Sequence, residues 1–211
     1  MIRLVVADDQ AILRSGLVAL LRLETGVEVV GEAADGAGTL AAVAEHRPDV
    51  LLLDVQMPAG SAPDGSPGPA DGIEAAEALR ATEDAPRIIV LTTFGRAGYL
   101  RRAMESGALG FMVKDTPVEQ LVDAIRRVHQ GLRVVDPELA AQSLAVGPSP
   151  LTAKETEVLQ AAAAGGTTTE IAKTLFLSEG TVRNHISAVI GKLGVTHRAE
   201  AVRTASDNGW I

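Results

Sequence analysis

Short apolar runs alternate with helical-period segments over residues 1–132. Ile2-Arg3-Leu4-Val5-Val6-Ala7 is apolar and largely β-branched, so it predicts a first strand, ending at Asp8-Asp9. Ile12, Leu13, Leu17, Leu20 and Leu21 then recur at helical spacing. Val27–Gly31 predicts a second strand, and residues 36–46 a second helix that Pro48 breaks. Val50-Leu51-Leu52-Leu53 is a run of the kind buried on both faces of a sheet, with Asp54 directly after it and Pro58 stopping the element. A third helix is predicted from Asp71-Gly72 to about Thr82, and a fourth strand at Ile88–Thr92. A helix over Gly98–Ser106, a short strand at Gly110–Val113 and a helix over Val118–Gln130 complete this half.

Five apolar strands alternating with five helices imply a parallel sheet covered on both faces. In such a doubly wound fold the carboxyl ends of the strands converge on one crevice. Asp8, Asp9, Asp54, Thr92 and Lys114 all fall at strand ends, so residues far apart in sequence are expected to meet there.

The pattern changes after Gly131. Asp136-Pro137 predicts a short helix through Leu144, and Gly147-Pro148-Ser149-Pro150 has the composition of a linker. Only helical signals follow. Thr152-x-x-Glu155 and Thr167-x-x-Glu170 are capping boxes ahead of apolar positions, and Ser178 is a strong N-cap. Val182, Ile186, Val189, Ile190 and Leu193 share one face of the helix that follows, and Gly194 ends it. A last helix runs from Arg198 to about Asp207. Two helices joined by Phe176-Leu177-Ser178 form a helix-turn-helix, whose second helix shows Arg183, Asn184, Ser187 and Lys192 opposite its apolar face. The domains read as 1–132, a linker at 133–150, and 151–211.

Composition narrows this picture. The chain has 211 residues, enough for two ordinary domains, and 46% hydrophobic content supports folded cores. It has no cysteine, which excludes disulfides and thiolate metal sites and suits a reducing, cytoplasmic location. No run of about 18 apolar residues is present, so no membrane insertion is expected. The net charge of −8 is uneven: residues 1–132 carry −7, whereas residues 148–211 are neutral. An acidic half suits a bound cation, and a neutral helical half lacks the strong basic footprint of many nucleic-acid binders.

Taken singly, each signal has a plain reading. Asp8-Asp9 can serve a helix N-terminus, Thr92 is a β-former, Lys114 can be a surface lysine, Phe111 is core, and Arg183 and Asn184 can be solvated helix face. Together, three carboxylates at adjacent strand ends repel one another unless a cation sits among them, and oxygen-only ligation suits Mg²⁺ or Mn²⁺. A carboxylate beside such an ion can accept a phosphoryl group, with Lys114 neutralising charge. Arg and Asn are suited to bidentate hydrogen bonds with base edges. The histidines at 46, 129, 185 and 197 form no metal spacing.

The whole chain closely resembles the two-component response regulators of the NarL/FixJ group, in which a receiver domain is joined to a LuxR-type helix-turn-helix. The matching segments are Val5–Asp9, Leu53–Pro58, Asp71–Ala75, Leu91–Phe94 and Gly107–Asp115, then Leu151–Leu159, Glu170–Ala172 and Gly180–Ile186. The resemblance implies a flavodoxin-like (βα)5 receiver with strand order 2-1-3-4-5 and a small all-α, four-helix DNA-binding domain. It implies Asp54 as the phosphoacceptor from a sensor histidine kinase. Asp9 would hold Mg²⁺ directly and Asp8 through water, with the backbone carbonyl of Gln56 completing the ligands. Thr92 and Lys114 would contact the phosphoryl group, and Phe111 would rotate inward with Thr92. Arg183, Asn184 and Ser187 match base-facing positions; Thr168, Thr169, Thr181 and Lys192 match phosphate contacts. The partners implied are a double-stranded DNA operator and a second copy of the chain on phosphorylation. The alternative in the same class is a transcription factor that works without phosphorylation. An Asp-nucleophile phosphatase is disfavoured, because Gln56 stands where such enzymes usually carry a second acid; no enzymatic role is expected.

One departure stands out. The family usually has about two residues between the positions of Pro58 and Asp71, but here residues 59–70 form a Gly/Pro/Ser/Ala-rich stretch, which predicts a mobile loop.

Overall fold

The computed structural model describes the chain except for residues 83, 94–96, 138 and 142–146 and the side chain of Ala97. Two compact units are present: one is built from Met1–Gly95 and Leu100–Ala140, and the other contains Ala141–Ile211.

In the first unit the apolar runs become strands β1 (Ile2–Ala7), β2 (Val27–Ala33), β3 (Val50–Asp54), β4 (Arg87–Thr92), β5 (Gly110–Val113) and β6 (Val134–Val135). The sheet order is β2-β1-β3-β4-β5-β6, and every pairing is parallel. The helices between them are α1 (Ala11–Leu21), α2 (Gly36–His46), α3 (Gly72–Arg80), α4 (Ala97–Glu105) and α5 (Val118–His129). Leu51, Leu52 and Leu53 are fully buried, as a strand covered on both faces requires. One side of the sheet packs Leu4, Val6, Leu52, Ile89 and Leu91 against Val18, Leu21, Leu121, Ile125 and Val128 of α1 and α5.

The sheet has one strand more than the five expected. Val134–Val135 was read as linker, yet it pairs with Gly110–Phe111, and the Val134 amide donates to the Leu109 carbonyl at 2.8 Å. Two residues are too few for a periodicity signal; β6 exists because β5 leaves an edge of unpaired backbone groups beside it. Residues 139–141 are helical, as the expected short helix requires, while its expected end at Leu144, like Phe94, lies outside the described residues.

Residues 59–70 are the stretch expected to form a mobile loop. They fold back as a small hairpin: Ser61 bridges Pro67 in antiparallel fashion, and Ala62 donates to the Ser66 carbonyl at 2.8 Å. Asp64 Oδ1 accepts from both the amide and the hydroxyl of Ser66, at 2.9 and 2.6 Å.

The second unit consists, among the described residues, of α6 (Ala153–Ala163), α7 (Thr168–Thr174), α8 (Glu179–Leu193) and α9 (Arg198–Asp207). Both expected capping boxes form, at Thr152/Glu155 and Thr167/Glu170, and Ser178 accepts from the Thr181 amide at 3.0 Å. Each such cap stabilises its helix by about 1 kcal/mol. Val158, Leu159, Ile171, Val182, Val189 and Ala201 form the core. Gly194 closes α8 at φ 65°, a left-handed position that suits glycine. No described helix is long and apolar enough to cross a membrane.

Candidate functional site

Strand order fixes the first site. β1, β3, β4 and β5 are consecutive neighbours, so Asp8 after β1, Asp54 at the end of β3, Thr92 at the end of β4 and Lys114 after β5 lie side by side. The register pairs Ala7 with Leu53, Asp54 with Leu91, and Thr92 with Val113. Lys114 then reaches inward. Its Nζ lies 2.8 Å from Asp54 Oδ2 and 2.8 Å from Asp8 Oδ2, and both acids are 2% exposed. Asp9 is exposed, and oxygens of Asp8, Asp9 and Asp54 lie within 4.8 Å of one another.

The backbone around these side chains is tightly held. The Gln10 amide donates to Asp8 Oδ1 at 2.9 Å, and the Gln56 amide to Asp54 Oδ1 at 3.2 Å. Arg14 donates to the Asp8 carbonyl and pairs with Glu32 at 3.4 Å. The Lys114 amide donates to the Thr92 carbonyl at 2.8 Å. Gly72 must be glycine, because a Cβ there would lie 1.9 Å from the Asp54 carbonyl oxygen. Phe111 is fully buried and Thr92 is 2% exposed.

The electrostatics follow from two buried carboxylates sharing one ammonium. Burial raises the Asp54 carboxyl above the usual range and the Asp8 charge adds to the rise; the hydrogen bond and charge of Lys114 oppose it without cancelling it. Burial alone would lower Lys114, but its hydrogen bonds to Asp54 and Asp8 and their charges raise it. With Asp9, three carboxylates face one cation. Such an excess of hard oxygen donors fits a divalent ion such as Mg²⁺.

In the second unit Arg183, Asn184 and Ser187 are exposed on α8, with Arg183 and Ser187 one turn apart. Thr181 hydrogen-bonds the N-cap Ser178 at 2.8 Å, Thr169 is exposed, and Thr168 is half-buried. Lys192 is not brought together with them. Its Nζ lies 2.6 Å from Glu155 Oε2, and Glu155 is 5% exposed. Sequence reasoning read Glu155 only as half of a capping box; its second role depends on a residue 37 positions away, for which spacing gives no signal. Glu179 was likewise not singled out, yet it accepts from Thr169 at 2.8 Å and lies 3.5 Å from Arg183.

Residues 4–126 match the response regulator receiver domain, and residues 149–205 match the bacterial regulatory proteins of the luxR family. The chain is 42% identical over its full length, and that of its relative, to the uncharacterized transcriptional regulatory protein YvfU of Bacillus subtilis (strain 168). It is 41% identical, again over both full lengths, to the transcriptional regulatory protein DesR of the same organism. Among solved structures, a complex of the two-component response regulator RcsB with DNA has a TM-score of 0.66 at 27% identity, covering 98% of each chain.

Proposed function

Since this chain belongs to the two-component response regulators that join a receiver domain to a LuxR-type DNA-binding domain, we propose that phosphorylation of Asp54 by a sensor histidine kinase switches its dimerisation and its binding to an operator. The observation that carries this reading is the buried Asp8–Lys114–Asp54 cluster, with Asp9 completing a set of carboxylates within 4.8 Å.

In the proposed reaction an Asp54 carboxylate oxygen forms a bond to phosphorus while the phosphorus–nitrogen bond to the donor imidazole breaks. The imidazole keeps that electron pair and takes a proton from solvent. Asp8, Asp9, Asp54 and the Gln56 carbonyl are the groups that would hold Mg²⁺ or Mn²⁺. When bound, the ion offsets charge on the transferring oxygens. Lys114 turns from its two carboxylates to a phosphoryl oxygen, and the Thr92 hydroxyl donates to another. The product carries about −1.5 to −2 charges where Asp54 carried one. Because Lys114 and Thr92 bind that charge better in one arrangement than in the other, the population shifts. Phe111, one strand from Thr92, follows.

In the second unit, Arg183, Asn184 and Ser187 are the proposed base-reading set, with Thr168, Thr169 and Thr181 toward phosphates, while Lys192 is held by Glu155. Residues 148–211 carry no net charge, so one copy neutralises few phosphates and binds weakly. Two copies on half-sites about one helical turn apart double those contacts.

The test is direct. The wild type and Asp54→Asn are treated with acetyl phosphate and Mg²⁺, resolved on phosphate-affinity gels, and assayed for dimerisation and DNA binding. Only the wild type is expected to shift in all three. An Asp54→Asn variant that binds operator as tightly as the phosphorylated protein would instead establish a phosphorylation-independent factor.

A further inference from the structure

The acids of the second unit have distinct uses. Glu155, Glu170 and Glu200 each accept from the backbone at the start of their helix, and Glu157 pairs with Lys154 at 2.7 Å. Glu179 does something else. It is the first residue of α8, and it divides its carboxylate between two side chains of the proposed DNA face. Oε1 accepts from Thr169 Oγ1 at 2.8 Å, across the turn from α7, and Oε2 lies 3.5 Å from Arg183 Nη1, one helical turn on. The arginine and glutamate side chains are 65% and 45% exposed. A pair this exposed adds little to folding.

We propose that Glu179 is a specificity-determining residue that acts on DNA recognition by positioning Arg183; the proposal rests on the DNA-binding reading above. The Thr169 hydrogen bond fixes the carboxylate over the turn. The fixed carboxylate holds the long arginine side chain in one region of space, over the exposed face it shares with Asn184. A guanidinium so held keeps its remaining donors for a bidentate contact with a guanine edge. DNA offering Arg183 only phosphate contacts has to draw the guanidinium away from that carboxylate, while DNA placing a matching base there does not. In a domain with six cations and six acids, holding one of the six cations in this way leaves fewer for non-specific phosphate contacts.

The experiment uses the full-length protein. The preferred duplex is first selected by the wild type from a randomised pool. Dissociation constants for that duplex and a scrambled one are then measured for wild type, Glu179→Gln, Glu179→Ala, Arg183→Ala and the Glu179→Ala/Arg183→Ala double variant, with thermal melts as folding controls. Glu179→Ala should bind the scrambled duplex more tightly and lose about fivefold or more in its preference for the selected one, part of the discrimination a bidentate base contact supplies. Glu179→Gln, which keeps the Thr169 hydrogen bond but not the charge, should fall between. In the Arg183→Ala background the loss of preference should vanish. A Glu179→Ala variant with unaltered preference overturns the proposal. So does a loss that persists without Arg183, which would mean that the carboxylate acts on DNA by itself. A wild type that selects no sequence overturns the DNA-binding reading together with this one.

Discussion

Lys114 lies between two carboxylates that are each 2% exposed, and its own side chain is 6% exposed; Arg183 lies beside Glu179 with both side chains open to solvent. The first arrangement is assembled from strand ends 46 to 106 residues apart, and the second from one turn of helix and the residue across it. The difference decides what each can do. Inside the crevice the Asp8–Lys114–Asp54 charges are screened far less than at the surface, so moving one acts strongly on the others. On α8 the Glu179–Arg183 pair is open to solvent, so little desolvation opposes its exchanging water for a ligand. Under the function proposed above, the first arrangement suits a change of state and the second suits contact with DNA.

The largest expected effect breaks the buried half of this comparison at its centre. Asp54→Asn keeps the shape but removes the nucleophilic charge, so labelling by acetyl phosphate should disappear on a phosphate-affinity gel. Persistent labelling would move the acceptor to Asp8 or Asp9. Next in size are two lysines with superficially similar partners. Lys114→Met in metal-free buffer strands two buried carboxylates and should destabilise the first unit by about 3 kcal/mol. Lys192→Met leaves Glu155 with its backbone partner at Thr152 and should cost the second unit about 1 kcal/mol. Hydrogen exchange of β3 and β4 reads the first, and fluorescence of Trp210, the single tryptophan, which packs on the second core, reads the other. Equal losses would remove the distinction drawn between the two units.

Acid should separate the units in opposite directions. The Lys192 hydrogen bond, then the Thr152 amide, hold the Glu155 carboxyl below its ordinary value of 4.5, and the Thr167 and Thr196 amides lower Glu170 and Glu200. A folded-state value below the unfolded one gives stability that is present above pH 4.5 and lost as pH falls through the folded value. Asp54 is raised instead, first by burial, so its contribution is greatest below its unfolded value and is lost as pH rises through the folded one. In a metal-free acid titration the Trp210 transition should therefore precede loss of protection in β3 and β4. Lys192→Met should widen the gap, because the second unit then starts less stable and reaches its acid midpoint at a higher pH.

Much of the crevice was legible because its parts carry local signals: Val50-Leu51-Leu52-Leu53, short, apolar and stopped by Pro58, reads as a covered strand, and acids at strand ends in a parallel sheet share an opening. The capping boxes were legible because both partners lie within four residues. β6 escaped because two valines carry no period, and the Lys192–Glu155 pair because it joins helices through a third dimension that spacing does not encode. Arg14, which holds the Asp8 carbonyl, was not singled out, because a polar residue on a helix carries no sign of its partner. The stretch 59–70 was read as a loop from composition, which does not register that Asp64 and Ser66 can bond each other or that glycines allow two legs to close as a hairpin.

That hairpin gives the smallest expected effect. The first two amides of α2 are satisfied by the carbonyls of Pro58 and Ala59, at 2.9 and 2.8 Å, both of which precede the turn. The legs meet where the Gly68 amide approaches the Gly60 carbonyl at 3.3 Å. Removing residues 61–67 and joining Gly60 to Gly68 leaves those α2 contacts in place, and shortening a loop changes closure entropy by less than about 1 kcal/mol. Stability and the dephosphorylation half-life of Asp54 should both stay near wild type. Gly68→Ala should cost more than the whole deletion, about 1–3 kcal/mol, because its Cβ would meet the Ala59 carbonyl oxygen at 2.2 Å and the Ala37 amide nitrogen at 2.5 Å. A tenfold change in half-life on deletion, about 1.4 kcal/mol of barrier, would instead make the hairpin a working part of the crevice, and the contrast between a buried switch and an exposed reader would have to include this third element.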